Sequence, residues 1–394
     1  MLKTYLFLFF VIVFSITNAQ NTLSTQAEIS VITIGPGTSL NDAFGHNAFR
    51  IKDPIYNYDK TFDYGRFDFD APNFYLNFCR GKLNYSLGSA DFNRFLYTYK
   101  YQNRSVKEQV LNLTQDEKQK VFNFLINNYK PENRNYLYEF FFDNCATKIR
   151  DVLQIALDNK IIFETPDSFK NKKFRRLIHD NVYRNSWGCF GIDIALGSII
   201  DREATASEHM FLPKYIYTFF NKATLLNTNE KLVKQTHVLN EQKGTLTSFN
   251  FFTSPLFVLG LFSLFIISIT YSDFKKQKPS IWLDIILFII TGLVGIVVLL
   301  LWFATDHSGT HNNYNLLWAF AANIFMIRQL LKKKTNLWFI KYLKFLVILL
   351  CLLTLHWLVG VQIYAIGLIP LIIALFIRYI FLIKHLSGVS KRIQ

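Results

Sequence analysis

Long uncharged apolar runs occur in this chain only at its extreme N-terminus and after Phe251. Five segments in the last third are candidates to cross a bilayer, at about 251–271, 281–303, 315–331, 338–359 and 361–383. Four of them reach or exceed the roughly 20 residues that a helical crossing needs, and the third is short. The chain is thereby committed to two parts, an all-α bundle of about five transmembrane helices and whatever the residues before it build.

The charges between the spans orient the bundle. Lys275, Lys276 and Lys278 follow the first span, Arg328 and Lys332, Lys333 and Lys334 end or follow the third, and Lys384, Lys391 and Arg392 follow the fifth. The loop from Ala304 to Tyr314 has neither Lys nor Arg. If the region before the bundle is exported, every loop obeys the positive-inside rule and the C-terminus is cytoplasmic. Residues 1–19 supply an export signal, with Lys3 as its charged start, Tyr5 to Ile16 as its apolar centre and Thr17-Asn18-Ala19 as a small-residue cleavage site. An uncleaved anchor there exports the next residues equally well. Helical spans fit a bacterial inner membrane, since β-barrels are the rule in the outer one. The expected plan is a signal peptide at 1–19, a periplasmic catalytic domain at 20–220, a polar linker at 221–250 and a transmembrane domain at 251–394.

This plan disposes of the net charge of +15. From residue 251 onward 13 Lys or Arg stand against three acids, so +10 belongs to the bundle and only +5 to the rest. The excess is topological, and nucleic-acid binding is set aside.

The middle region is long enough for one domain with its own core. Aromatic or β-branched runs at Ile29 to Ile34, Ala48 to Ile51, Thr61 to Phe69 and Lys82 to Gly88 predict strands. Helices are predicted near Asp91 to Tyr99, Thr114 to Asn128 and Cys145 to Asn159, and Thr114-Gln115-Asp116-Glu117 matches a capping box. The domain class is α+β.

Within it, Asp143 or Asn144 is placed to cap a helix whose first turn holds Cys145. Unpaired amides and the positive end of the helix dipole favour a thiolate there, and the same amides suit an oxyanion. His46 is the candidate base: a short strand follows it, and Gly45 before it permits close backbone approach. A lone histidine beside a strand is more often packed or solvated than catalytic, and a helical cysteine is usually a small core residue. Of the other cysteines, Cys351 lies in the fourth span, and Cys79 and Cys189 lack a spacing that fixes a disulfide. With no CxxC and no HExxH, neither a metal nor another cofactor is expected.

The runs Phe44 to Ile51 (FGHNAFRI), Phe62 to Phe69 (FDYGRFDF) and Phe142 to Asp151 (FDNCATKIRD) together resemble the Lnb N-terminal periplasmic domain family of Bacteroidota. The likeness extends into the membrane region. It implies a circularly permuted papain-like fold of the NlpC type, in which the histidine precedes the cysteine. On that logic a third residue, from the strand after the histidine strand, orients the imidazole. Asp63 is the first choice, with Asp68 and Asn57 as competitors. Asn144 caps its helix or supports the site, and Arg150 and Asp151 pair with neighbours to fix that helix.

The outer loop from Thr305 to Asn315 carries His307, His311 and Asn315, and the resembling family has a similar segment. The expectation is that it contributes to the substrate site or docks the catalytic domain onto the bundle. The activity the resemblance implies is lipoprotein N-acylation. Cys145 takes an acyl chain from a membrane phospholipid as a thioester and passes it to the N-terminal amine of a diacylated lipoprotein. The alternatives are a membrane-anchored cysteine peptidase or amidase of the NlpC type, acting on cell-wall peptide, and a non-catalytic envelope binding protein.

Overall fold

A computed structural model of the chain describes residues 22–167, 169–244, 250–332 and 336–391. The expected signal at 1–19 lies outside them, as do Lys333, Lys334 and Arg392 of the basic clusters used to orient the spans.

The exported region folds around one antiparallel sheet. Its strands are β1 (Glu28–Ile34), β2 (His46–Asp53), β3 (Tyr58–Arg66), β4 (Asn84–Asp91), β5 (Val106–Leu111), β6 (Asn135–Leu137) and β7 (Val233–Asn240), in the spatial order β6-β4-β3-β2-β1-β5-β7. Helices α1 (Phe74–Arg80), α2 (Phe92–Tyr101), α3 (Gln115–Tyr129) and α4 (Cys145–Ala156) interrupt it. Alternation along the strands feeds two cores. Ile29 and Val31 of β1 join Phe49, Ile51 and Phe62 beneath α3 and α4. Ile32 and Ile34 pack with Ala48 and with Phe92 and Phe95 of α2 on the other face. Helix α4 is seated by Ile149, Val152 and Leu153, all buried at helical spacing, each worth about 1.5–3 kcal/mol on leaving water. The capping box at Thr114 is formed, with Glu117 returning to the Thr114 amide at 2.9 Å.

Three strands of this sheet escape the sequence reading. Asn135–Leu137 pairs with β4. Val106–Leu111 pairs with β1, and Val233–Asn240 pairs with Val106–Leu111 at the sheet edge. The expected linker at 221–250 is therefore not irregular throughout. Its strand is half-solvated and rich in Lys, Gln, Thr and His, so it lacks the apolar alternation that signals a strand.

After α4, helices α5 (Phe174–His179), α6 (Trp187–Ala195) and α7 (Pro213–Phe220) and then β7 complete the domain before the chain enters the bundle. Its helices are α8 (Pro255–Lys276), α9 (Ile281–Phe303), α10 (Asn323–Leu330), α11 (Leu337–Leu358) and α12 (Leu368–Lys391). Among the described residues four, α8, α9, α11 and α12, are long and apolar enough to cross a membrane. Arg378 of α12, fully buried, ties three of them together through Asp273 of α8 at 2.7 Å and Asp284 of α9 at 2.6 Å. A charge inside a bundle persists when it is paired in this way.

The expected third span corrects to a broken segment. A 3-10 turn at Tyr314–Leu317 gives way to irregular chain and then to the short α10. Asn315 turns its side chain back on Asn313 and Trp318, while Asn323 bonds Thr291 of α9 at 2.8 Å. The irregular backbone lies directly on α9, where a Cβ at Gly295 would meet the Ala319 carbonyl at 2.1 Å. Such backbone is tolerated at membrane depth only when buried against protein, and small residues permit the approach.

Candidate active site

Helix α4 begins under full control of Asn144. Its carboxamide oxygen accepts from the amides of Ala146 at 2.8 Å and Thr147 at 3.0 Å, and its Nδ2 donates to the carbonyls of Phe140 at 2.7 Å and Phe211 at 2.8 Å. Thr147 Oγ1 accepts from the Asn144 amide, closing a capping box. The cap therefore takes two of the first-turn amides that the sequence reading offered to an oxyanion, and Lys148 gives its own to the Asn144 carbonyl. The Cys145 amide is the donor left at this terminus. Asn144 is buried with its side chain fully used, as a cap and a brace.

His46 is the first residue of β2, so it stands at the end of the sheet where α4 arrives. Gly45 brings it there with φ +84°, and a Cβ on that residue would meet the Ile34 carbonyl at 2.6 Å. The imidazole and the Asn47 amide both lie against the Cys145 thiol, close enough to act on its charge. His46 Nε2 faces Asp63 Oδ2 at 3.3 Å, which leaves Nδ1 for the thiol.

Asp63 is held in turn by Arg66, whose Nε reaches both carboxylate oxygens at 3.0 and 3.1 Å. This clamp depends on a register shift between Asp63 and Arg66, with Gly65 at φ +95° inside it. It depends equally on Gly88 across the ladder, where a Cβ would lie 2.0 Å from Arg66 Nε. Any side chain there expels the guanidinium. The competitors lie elsewhere: Asn57 sits at the turn between β2 and β3 with φ 50°, and Asp68 accepts from the Asp70 amide in a turn of its own.

Electrostatics sort the protons. Burial opposes charge on His46, but Tyr99, Cys145 and Asp63 outweigh it and hold the imidazole well above its usual value. Burial likewise opposes the thiolate, yet His46 and the Asn47 amide bring Cys145 below the usual thiol range. Asp63 is held below the usual carboxylate range, burial being overcome by His46 and Arg66. The directions of these shifts favour a thiolate facing an imidazolium, in a site partly open to solvent and backed by an ionised carboxylate. Arg66, Gly88 and the Asn47 amide are contributors the sequence reading missed. The glycine two residues after Asp63 was the available signal for a bulge that lets Arg66 fold back.

The outer loop takes no part in this chain of bonds. His307 Nε2 bonds the Phe78 carbonyl at 2.9 Å, His311 Nδ1 lies 3.1 Å from the Ser308 carbonyl, and Ser308 bonds Glu139 at 2.6 Å. Asn315 is buried and donates to the carbonyls of Asp193 and Ile194 at the end of α6, at 2.9 and 3.2 Å. Asn313 adds a bond of 2.8 Å to Ile194. Behind them Arg175, fully buried, binds Asp193 and Asp201 and the carbonyls of Leu196 and Gly197. His179, Cys189 and Asp193 bring one ligand atom each within 4.8 Å of one another. The Asp193 carboxylate is already bonded to Arg175 at 2.9 Å and His179 at 3.0 Å, while burial and Asp193 push the Cys189 thiol up to about 12. The group is a hydrogen-bonded clamp on Arg175. Cys79 and Cys189 are both free thiols, and Arg150 pairs with Asp151 at 2.7 Å while also reaching Ser207.

Two family descriptions match the chain in order. Residues 17–173, which hold His46, Asp63 and Cys145, match the Lnb N-terminal periplasmic domain, and residues 247–387, which hold the outer loop, match the Lnb transmembrane domain. No curated protein and no solved structure matches it. The chain is a membrane protein with a periplasmic domain, and it belongs to the Lnb family.

Proposed function

We propose that this protein is a lipoprotein N-acyltransferase of the bacterial inner membrane, its periplasmic domain a permuted papain-like thiol enzyme and its C-terminus cytoplasmic. The observation that carries the reading is the relay from Asp63 through His46 to Cys145 at the start of α4, in a domain bonded to the outer loop of its own bundle. The acceptor is what the family resemblance implies.

The Cys145 thiolate attacks the carbonyl carbon of a phospholipid ester. The negative charge passes to the carbonyl oxygen, which the free Cys145 amide is placed to receive. As the C–O bond breaks, the His46 imidazolium gives its proton to the leaving alkoxide, and a lysophospholipid departs. The acyl chain remains as a thioester. The α-amine of a diacylglyceryl-cysteine then attacks, His46 takes its proton, the thiolate leaves and an amide remains. Asp63, fixed by Arg66, holds one tautomer of His46 and stabilises its charge throughout.

Attachment to a membrane bundle favours a lipid donor over a soluble peptide. The test is the mass of lipoprotein N-termini from cells with and without the gene, or with Cys145→Ser in its place. The reading expects loss of one acyl chain in both mutant strains. Unchanged lipoproteins with altered muropeptides would replace it with the amidase.

A further inference from the structure

Helix α1 presents an apolar surface that no part of the domain covers among the described residues. Tyr75 is 75% exposed, Leu76 55% and Phe78 52%, and Phe67 and Phe69 just before the helix are exposed as well. So many large apolar side chains in 12 residues mark a site of contact rather than ordinary surface.

The position of α1 says what it contacts. Its end is bonded to the loop that leaves α9: the Asp306 amide donates to the Arg80 carbonyl at 2.9 Å, and His307 bonds the Phe78 carbonyl. Gly81, at φ +71°, packs so closely that a Cβ would lie 3.1 Å from the His307 amide. Asp306 is three residues beyond Phe303, the last residue of α9. At roughly 3.6 Å per residue, Asp306, which is bonded to the end of α1, lies within about 11 Å of the outer end of a membrane span. Exposed aromatics at that level match the interfacial belt.

A continuous run of rings leads inward from the helix. Phe67 touches Phe74 of α1 and, at 5.3 Å, Tyr85, which stacks on Tyr138 at 4.4 Å. Tyr138 and Cys145 approach the same point, each 3.8 Å from where a Cβ of Gly65 would be. A chain of ring contacts thus runs from α1 to the surroundings of Cys145.

We propose that α1 is a lip seated in the outer face of the bilayer, and that a phospholipid acyl chain passes along it, over Phe67, Tyr85 and Tyr138, to Cys145. The occupant rests on the acyl-transfer reading; the seating of the lip does not. Two measurements on the full chain separate them. With Cys79 as the sole cysteine (C145A, C189A, C351A), a nitroxide on α1 in phosphatidylethanolamine and phosphatidylglycerol vesicles is relaxed more by oxygen than by a water-soluble nickel chelate. Greater relaxation by the chelate overturns the lip, and this readout needs no activity. Leu76→Asp slows acylation of Cys145 from bilayer phospholipid roughly tenfold, the scale of losing one Leu-sized apolar contact. It leaves alkylation of Cys145 by iodoacetamide, followed on that peptide, unchanged. Equal slowing of both reactions, or of neither, overturns the path.

Discussion

Two polar clusters of this molecule look alike in sequence and differ in what they leave free. At the sheet end, His46 and Cys145 remain partly exposed, and the thiol's neighbours favour its charged form. At the junction with the bundle, Asn313 and Asn315 are fully buried and are bonded to α6 carbonyls, Trp318 and Gln362 Nε2. The first cluster keeps a nucleophile in reserve; the second has nothing left to give a substrate. Histidine and asparagine content alone does not separate chemistry from docking, whereas the accounting of donors and acceptors does.

That contrast breaks most sharply at the thiol. Cys145→Ser is expected to abolish turnover, and His46→Ala to lower it by about 100-fold to 10,000-fold, with the thermal unfolding midpoint little moved. A large fall in the midpoint without loss of turnover would reverse the assignment of the two clusters.

Asp63→Asn is expected to cost roughly 100-fold and to reshape the pH profile. The thiolate–imidazolium pair exists above the lowered pKa of Cys145 and below the raised pKa of His46, so acylation is bell-shaped in pH. Asp63 is one of the groups that raises His46. Its neutralisation moves the alkaline limb to lower pH, and an unmoved limb measured by stopped-flow acylation contradicts the relay. Gly88→Ala acts on the same carboxylate by displacing Arg66, with a smaller loss, on the order of tenfold, and a shift in the opposite direction, because an Asp63 carboxylate without its guanidinium favours the imidazolium more.

The junction cluster answers in stability. Asn315→Ala strands the Asp193 carbonyl and the Trp318 indole in a buried interface, which costs about 2 kcal/mol or more and lowers the unfolding midpoint. His307→Ala loses one hydrogen bond to α1 and costs about 1 kcal/mol. Protein that stays folded in either case retains the pH profile of Cys145 acylation. A displaced limb would bring the loop into the chemistry.

The parts of the fold legible in the sequence were those whose signal is local. Strand β1, buried on both faces, and the capped starts of α3 and α4 follow from residue order alone. The edge strand Val233–Asn240 was hidden because its partner, Val106–Leu111, lies more than 100 positions away and its solvent face carries no alternation. The break in the third span was hidden because its cause is tertiary, in Gly292 and Gly295 of α9 and in Thr291, which receives Asn323. The pairing of His46 with Cys145 came from the histidine-before-cysteine order that the family resemblance implies, with the helix cap and the strand start as local support. Arg66 was missed because its reach back to Asp63 depends on an absent side chain at Gly88, on another strand.

The most direct test of acyl transfer through Cys145 is to trap the intermediate. Full-length protein in vesicles of phospholipid with an isotopically labelled acyl chain is quenched in acid without acceptor and digested. The expected result is labelled acyl on the Cys145 peptide, released by neutral hydroxylamine as a thioester is. An unlabelled Cys145 peptide alongside released lysophospholipid would contradict it.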